Sequence, residues 1–219
     1  MTKRILGLGA MVFVFCATTF TADAAFYVRP EVQFSSLAPS SHADGDIAVG
    51  GGLAWGGVFG RDQRFDVGVE ITRTRYKGDF DFRNYNAPGV QWTKVPATCE
   101  VTPVQATFRY SFTTKNKEIR PYLGMAFGYS WVDIHNSTSS PGYVGGSNES
   151  SGSCWTGSLG GGVSYQLGRL TSIEFGYRYV FSDSISSFDF LSPRFGCNFR
   201  YNAHVFTLAL TQRFGRGGR

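Results

Sequence analysis

Ten charged residues recur at alternate positions along stretches that are otherwise apolar or small, in a chain of 219 residues. They are Arg29, Glu31, Arg64, Asp66, Glu70, Arg109, Arg120, Glu174, Arg178 and Arg213. Enclosed guanidinium and carboxylate groups should pair, because an isolated charge is costly to remove from water. Such a set could form a network of salt bridges that fills an interior, or could line a path for small ions.

The elements that must hold these charges are β-strands. In the run 172–181, Ile173, Phe175 and Tyr177 alternate with residues that include Glu174 and Arg178. Successive side chains of a strand point to opposite faces, so one face of this strand is aromatic and the other is charged. Seven further runs with this alternation begin near residues 25, 47, 64, 104, 119, 155 and 201. The pattern therefore predicts eight amphipathic strands.

The N-terminus has the form of a secretory signal peptide. Lys3 and Arg4 precede a run of roughly 16 apolar residues, which is shorter than the ~20 that a spanning helix needs. Ala22-Asp23-Ala24 follows, so we expect residues 1–24 to be removed by cleavage between Ala24 and Ala25. Removal takes away two basic residues and one acidic residue, which changes the net charge from +5 to +4. This charge is too mild to indicate a nucleic-acid partner.

Eight such strands in an exported chain predict an all-β fold: an eight-stranded antiparallel up-and-down transmembrane β-barrel over residues 25–214. The barrel must close, because hydrocarbon cannot satisfy an open sheet edge. A soluble lipocalin-like barrel is the rival fold, but it would have to bury the aromatic face. Side chains fill the interior of an eight-stranded barrel, so a plug of salt bridges is favoured over an ion path.

The connections between the runs alternate between short and long, as in outer-membrane barrels. The short turns are 61–63, 113–118 and 168–170, and the long loops are 36–46, 76–98, 134–153 and 182–200. This asymmetry predicts that the turns and both termini are periplasmic and that the four long loops are extracellular. Pro30 and Pro103 lie within strand patterns, where a missing N–H predicts a bulge or a strand end.

Two other features could carry chemistry. The runs 50–52 and 160–162 are each three glycines, but neither leads into a helix as a phosphate-binding loop would, so strand curvature and a tight interior are favoured.

Cys99, Cys154 and Cys197 all precede strands at their outer ends. Two of them could pair in an oxidising envelope; we favour Cys154 with Cys197, although three pairings, or none, remain open. No CxxC motif or histidine pair is present, so we expect neither a metal nor a cofactor.

Two phrases of the sequence resemble a known family. Arg120-Pro-Tyr-Leu-Gly-Met-Ala-Phe-Gly-Tyr129 and Gly176-Tyr-Arg-Tyr179 are similar to recurring phrases of the outer-membrane β-barrel domain family, which includes opacity proteins and bacterial surface antigens. The resemblance implies an eight-stranded barrel in the outer membrane of a Gram-negative bacterium, acting as an adhesin, surface antigen or envelope component. It implies no shared catalytic residues. Family members typically end on the terminal aromatic, whereas Phe214 is followed here by a short basic tail, residues 215–219.

These observations lead to a functional prediction. We expect an outer-membrane barrel with a plugged lumen that displays four loops as a surface antigen, an adhesin or a structural envelope component. Its expected partners are outer-membrane lipid and lipopolysaccharide, the barrel assembly machinery, and a host or cell-surface ligand at the loops. A narrow porin-like channel is the alternative. His135-Asn136-Ser137 is similar to the His-x-Ser of outer-membrane lipid A deacylases, but it falls in a predicted loop, so we expect no enzyme.

Overall fold

The computed structural model describes residues 25–38, 43–60, 63–84, 91–115, 118–136, 149–189 and 195–215. The predicted signal peptide and all but the first residue of the predicted tail lie outside these ranges, so both stay predictions. Across the described ranges, no helix is long and apolar enough to cross a membrane.

Every regular element in the described residues is a strand. In chain order they are β1 (Ala25–Leu37), β2 (Ala43–Gly45), β3 (Ala48–Phe59), β4 (Phe65–Asn84), β5 (Gln91–Ser111), β6 (Ile119–Asn136), β7 (Glu149–Gln166), β8 (Thr171–Ser182), β9 (Ser184–Asp189), β10 (Phe195–Arg200) and β11 (Ala203–Phe214). Eight of them build the wall, whereas β2, β9 and β10 are short additions at one end.

The eight wall strands form a closed antiparallel ring. Neighbours in the chain pair with each other in the order β1, β3, β4, β5, β6, β7, β8 and β11. The last strand then pairs with the first, with Phe26 opposite Phe214 and Leu37 opposite Ala203. No wall strand is left with an open edge, which is the condition for crossing a bilayer with strands. The predicted eight-stranded up-and-down barrel is confirmed.

The alternation along the strands separates an apolar outside from a polar inside. Large outward side chains are exposed, among them Phe127 at 58% and Leu159 at 62%, whereas the inward Glu174 is only 1% exposed. A soluble barrel would place these two classes the other way round. The outward face is therefore the surface that meets lipid.

Aromatic side chains gather at both ends of the lipid-facing surface. At the outer end the rings of Phe127 and Trp155 stack with centroids 5.3 Å apart, and Tyr129 meets Trp155 edge to face at the same distance. At the opposite end, where short turns join the strands, Phe26 and Phe214 lie 6.2 Å apart. Such rings are typical of the two membrane–water interfaces, so they mark the height of the bilayer on the barrel.

The predicted bounds of the outer loops are wrong. Strand β4 continues to Asn84 and β5 starts at Gln91, so most of the predicted loop 76–98 is a regular ladder. The predicted loop 36–46 contains β2, and the predicted loop 182–200 contains β9 and β10. The physical reason is that alternation continues beyond the membrane with its chemistry reversed: Tyr76 points inward and is buried, while Arg75 and Lys77 point outward and are exposed.

Neither proline produces the predicted bulge or strand end. On β1, pairing with β11 is interrupted at Pro30, but the register is unchanged on either side of it. On β5, pairing with β4 is likewise interrupted at Pro103 and resumes in the same register. Each proline keeps its partner on the other side, Leu53 and Ser130 respectively. The missing N–H therefore leaves a short gap in one ladder without shifting the strand.

Candidate functional site

Seven of the ten charged residues singled out in the sequence meet inside the barrel and are called the enclosed network here. They are Arg29 and Glu31 from β1, Asp66 and Glu70 from β4, Arg109 from β5, and Glu174 and Arg178 from β8. All seven stand at the inward positions of their strands, and all but Arg178 are buried. Because alternate side chains of a strand point inward, charged residues from four strands meet in one interior.

The half of the network nearer the short turns is centred on Arg109. Its Nε donates a hydrogen bond of 2.6 Å to Asp66 Oδ2, and its Nη1 donates to Glu174. The hydroxyl of Thr211 donates a 2.8 Å hydrogen bond to the other oxygen of Glu174. The guanidinium carbon also lies 4.6 Å from the centre of the Tyr122 ring, within the range of a cation–π contact. Arg109 is thus bound on several sides at once.

The other half of the network joins two arginines to three glutamates. Arg178 Nη1 lies 2.5 Å from Glu70 Oε1, and its Nη2 lies 3.6 Å from Glu31 Oε1. Arg29 Nη2 lies 3.5 Å from Glu70 Oε2, and its Nη1 lies 3.7 Å from Glu174 Oε2. Because Arg29 contacts Glu174 as well, the two halves form one continuous set of charges.

The enclosed network fills most of the lumen at its level. A cavity of about 80 Å³ remains beside Arg29, Glu70, Arg109, Glu174 and Arg178. A space of this size can hold a few water molecules, which need polar partners of the kind that the network provides. The arrangement can exclude larger solutes and hold the strands together from inside.

The other three charged residues from the sequence lie nearer the end with the short turns. Arg64, Arg120 and Arg213 are only partly buried. Arg213 Nη1 lies 3.4 Å from the side-chain oxygen of Gln63, and Arg120 lines the same recess as Arg213. Alternation predicted their inward direction, but their place at the mouth depends on how far along the strand each one stands.

A second filling layer, which the sequence analysis missed, closes the lumen beyond the outer aromatic rings. It is called the outer apolar core and consists of Leu37, Ala48, Tyr76, Ala97, Cys99, Val101, Val132, Ile134, Cys154, Val180, Tyr201, Ala203 and Val205. The signal for it is present in the sequence, because Val132 and Ile134 keep the inward parity of Ser130. The residues that alternate with them on the outward face are polar there, so the stretch does not show the apolar outward face by which the strands were recognised.

Three hydroxyl groups are buried with this apolar layer and bind one another. The Tyr76 hydroxyl lies 2.5 Å from Ser35 Oγ and 3.1 Å from the Tyr201 hydroxyl. Burial raises the pKa of Tyr76 well above its usual range, and burial raises the pKa of Tyr201 as well. Both phenols therefore stay neutral, and the outer layer carries no charge at neutral pH.

Glycines at inward positions make room for the large side chains of the lumen. A Cβ atom at Gly162 would lie 2.6 Å from the Tyr122 hydroxyl, and one at Gly176 would lie 2.5 Å from the same atom. Tyr122 can therefore cross the lumen and reach Arg109 only because these two positions have no side chain. The glycine runs serve packing, as the sequence analysis favoured.

The cysteines and the His-x-Ser motif predicted from the sequence do not form a site among the described residues. Cys154 is buried in the outer apolar core as a free thiol, so the structure does not form the predicted pairing with Cys197. His135 stands on the outward face of β6 and not in a loop, and Ser137 lies outside the described residues. Within the described part of the chain, no cluster of His, Cys, Asp or Glu side chains could hold a metal ion.

A closed barrel of eight antiparallel strands, apolar outside, charged inside and ringed by aromatics, defines an integral protein of the bacterial outer membrane. The chain belongs to the outer membrane protein beta-barrel domain family, whose sequence profile matches residues 8–214. The family that the two sequence phrases resemble is therefore confirmed, and so is the predicted location. No curated protein matches the chain.

Solved structures of small outer-membrane proteins have the same fold. Neisserial surface protein A is 19% identical, with a TM-score of 0.50 over 88% of this chain and 99% of that one. OprG from Pseudomonas aeruginosa is 16% identical, with a TM-score of 0.52 over 88% and 97%. A major outer membrane protein from Thermus thermophilus is 12% identical, with a TM-score of 0.53 over 87% and 99%.

Proposed function

We propose that this protein is a closed outer-membrane scaffold that displays its outer hairpins at the cell surface as a surface antigen or adhesin. The observation that carries the proposal is the double filling of the lumen. The enclosed network occupies the membrane level and the outer apolar core lies above it, so a solute would meet two barriers of opposite chemistry. A barrel that is closed in this way acts through what it displays.

The wall above the membrane is built for display. Strands β4 and β5 remain paired from Tyr76 opposite Cys99 up to Asn84 opposite Gln91. Outward residues of this wall are charged, with Arg75 Nε 3.5 Å from Glu100 Oε1. A regular ladder above an apolar layer holds its tip more firmly than a free loop could, and rigid scaffolds that present variable tips are typical of binding proteins.

The same wall supports contact with lipopolysaccharide and other anionic groups of the outer leaflet. Arg73 stands one outward position above the lipid-facing Ile71, and its side chain is 70% exposed while it pairs with Glu100. Arg75 and Lys77 continue the row away from the membrane. Cations at this height lie where lipid phosphates are found. Recognition of Phe214 by the barrel assembly machinery belongs to the same proposal.

A narrow channel is the second candidate. The cavity of about 80 Å³ beside Arg29 and Arg178 favours it, because water in a charged lumen is the starting point for ion movement. Conduction would require the outer apolar core to open as well as the enclosed network. An enzymatic role has no comparable support, and we expect His135→Ala to leave the acyl pattern of lipid A unchanged.

The display proposal can be tested by trimming one hairpin at a time. Replacing residues 84–91 with Asn-Gly joins Arg83 to Trp92, which already face each other, through a two-residue turn. The matched variant replaces residues 136–148 with Asn-Gly and so joins His135 to Glu149. We expect adherence of bacteria carrying the protein to epithelial cells to be lost with the first change, while heat-modifiable gel mobility of the folded barrel is kept.

The comparison between the two trimmed proteins makes this result specific. If the second trimming alone removes adherence, the binding tip is the β6–β7 hairpin. If the folded wild-type protein gives no adherence, and both trimmed forms behave like it, the adhesin role is wrong. The envelope role is then measured by comparing the detergent sensitivity of cells with and without the gene.

A further inference from the structure

The periplasmic mouth of the barrel holds an open recess that the display role does not use. Its cavity volume is about 10 Å³, against about 80 Å³ for the cavity beside the enclosed network, and the open solvent at its mouth brings the space to about 260 Å³. Three arginines line it: Arg120 from β6, Arg169 from the turn between β7 and β8, and Arg213 from β11. Strands β6 and β11 are not neighbours in the ring, so Arg120 and Arg213 approach the recess from different sides.

The positive charge of this recess is not balanced by its own walls. Glu118 is the single carboxylate among its lining residues in the described part of the chain. The Arg213 guanidinium lies 3.4 Å from the neutral side-chain oxygen of Gln63. The lining therefore carries an excess of two positive charges.

The carboxylates deeper in the lumen supply only part of the balance, because Asp66 and Glu174 attract Arg213 electrostatically but are also bound by Arg109. Asp66 and Glu174 are the members of the enclosed network bound by Arg109, and Glu174 also forms a salt bridge with Arg29. The positive mouth thus lies below a network that has its own arginines. An anion from outside the protein would add negative charge that the described lining of the recess lacks.

Polar groups in the wall complete a site for an oxyanion. Ser164 and Ser172 line the same recess as the arginines, at inward positions, and are 7% and 6% exposed. Guanidinium groups bind phosphate oxygens through paired N–H donors, and hydroxyls add further donors. Two excess positive charges also match a phosphate group better than they match a single carboxylate.

We propose that the periplasmic recess binds a phosphate group through Arg120, Arg169 and Arg213. The exposed apolar side chains of Leu167 and Leu170 place the recess at the height of the inner-leaflet headgroups. The phosphate could accordingly come from a phospholipid headgroup or from free phosphate in the periplasm. Both sources share the same chemistry at the arginines.

The test uses the refolded protein in octyl glucoside, a detergent without phosphate. Inorganic phosphate is added while the backbone amide signals of Gly168 and Arg169 are followed by NMR, and chloride at equal ionic strength serves as the reference. We expect phosphate to shift these signals in a saturable manner and chloride to leave them in place. Arg120→Gln and Arg213→Gln should each weaken the apparent affinity by about tenfold or more. Heat-modifiable gel mobility confirms that each variant is folded.

The matched control is Lys115→Gln, which removes one positive charge from the turn between β5 and β6 without touching the recess. It should bind phosphate as the wild type does. Equal shifts with chloride, equal loss in the Lys115 variant, or unchanged affinity in both arginine variants would each overturn the proposal.

A second arm distinguishes the two sources of phosphate. The protein is placed in nanodiscs of phosphatidylglycerol and titrated again with inorganic phosphate. If the headgroup fills the recess, added phosphate no longer shifts the two signals that it shifted in octyl glucoside. If the shifts persist at the same concentrations, free phosphate is the ligand.

Discussion

At the scale of single residues, the interior depends on how each charge is shared. Arg109 joins Asp66 to Glu174, and Glu174 in turn contacts Arg29. A buried salt bridge contributes little compared with well-packed apolar side chains, but the loss of one partner leaves the other charge enclosed and unpaired. Arg109 is therefore the residue whose removal should cost most.

We predict that Arg109→Met lowers the free energy of unfolding by about 3–5 kcal/mol, because Asp66 and Glu174 lose their shared partner in a site closed to water. Adding Asp66→Asn should recover part of the loss. Urea unfolding of the refolded protein measures both. Arg75→Met is the control, because its ion pair with Glu100 is exposed on the outside and should matter little. Equal losses in the two methionine variants would contradict this view of the network.

At the scale of the strand, side-chain parity decides which glycines are required. A Cβ at Gly52, on the inward face of β3, would lie 2.8 Å from the backbone oxygen of Ile71 and would collide with Thr72. A Cβ at Gly51, on the lipid face, would have only the backbone oxygen of Glu31 nearby, at 3.5 Å. Neighbouring residues of one glycine run thus have different constraints.

We predict that Gly52→Ala destabilises the barrel by about 1–3 kcal/mol, because the backbone atoms that it meets cannot move aside without disturbing the ladder. Gly51→Ala should be neutral or slightly stabilising. Unfolding of the two refolded variants under identical conditions measures the difference. Comparable loss at both positions would show that parity is not what selects glycine in this run.

The strand scale also shows what could be predicted from the sequence. Alternation predicted the eight wall strands, the inward set of charges and the closed barrel, but not the short strands β2, β9 and β10. A two-residue period is visible without knowing any contact. It did not give the height of the wall, because on β5 the outward residues beyond Val104 become polar while the inward Val101 and Cys99 are apolar and buried. Nor could it give which arginine meets which carboxylate, since that depends on the register between distant strands.

At the scale of the whole molecule, the barrel is a stack of four chemical levels. A recess lined by three arginines lies at the end with the short turns, and the enclosed network follows within the membrane. The outer apolar core lies beyond the network, and paired hairpins form the other end. The two middle levels close the lumen by different means, one with ion pairs and one with packed side chains. A channel would need both to open together.

Single-channel recording of the refolded protein in a planar bilayer tests this closure most directly, with folding shown beforehand by heat-modifiable gel mobility. We predict no reproducible current steps, because the enclosed network and the outer apolar core both obstruct the lumen. Reproducible steps of uniform size from folded protein would contradict the closed scaffold, and would show that the charges of the lumen line a path for ions.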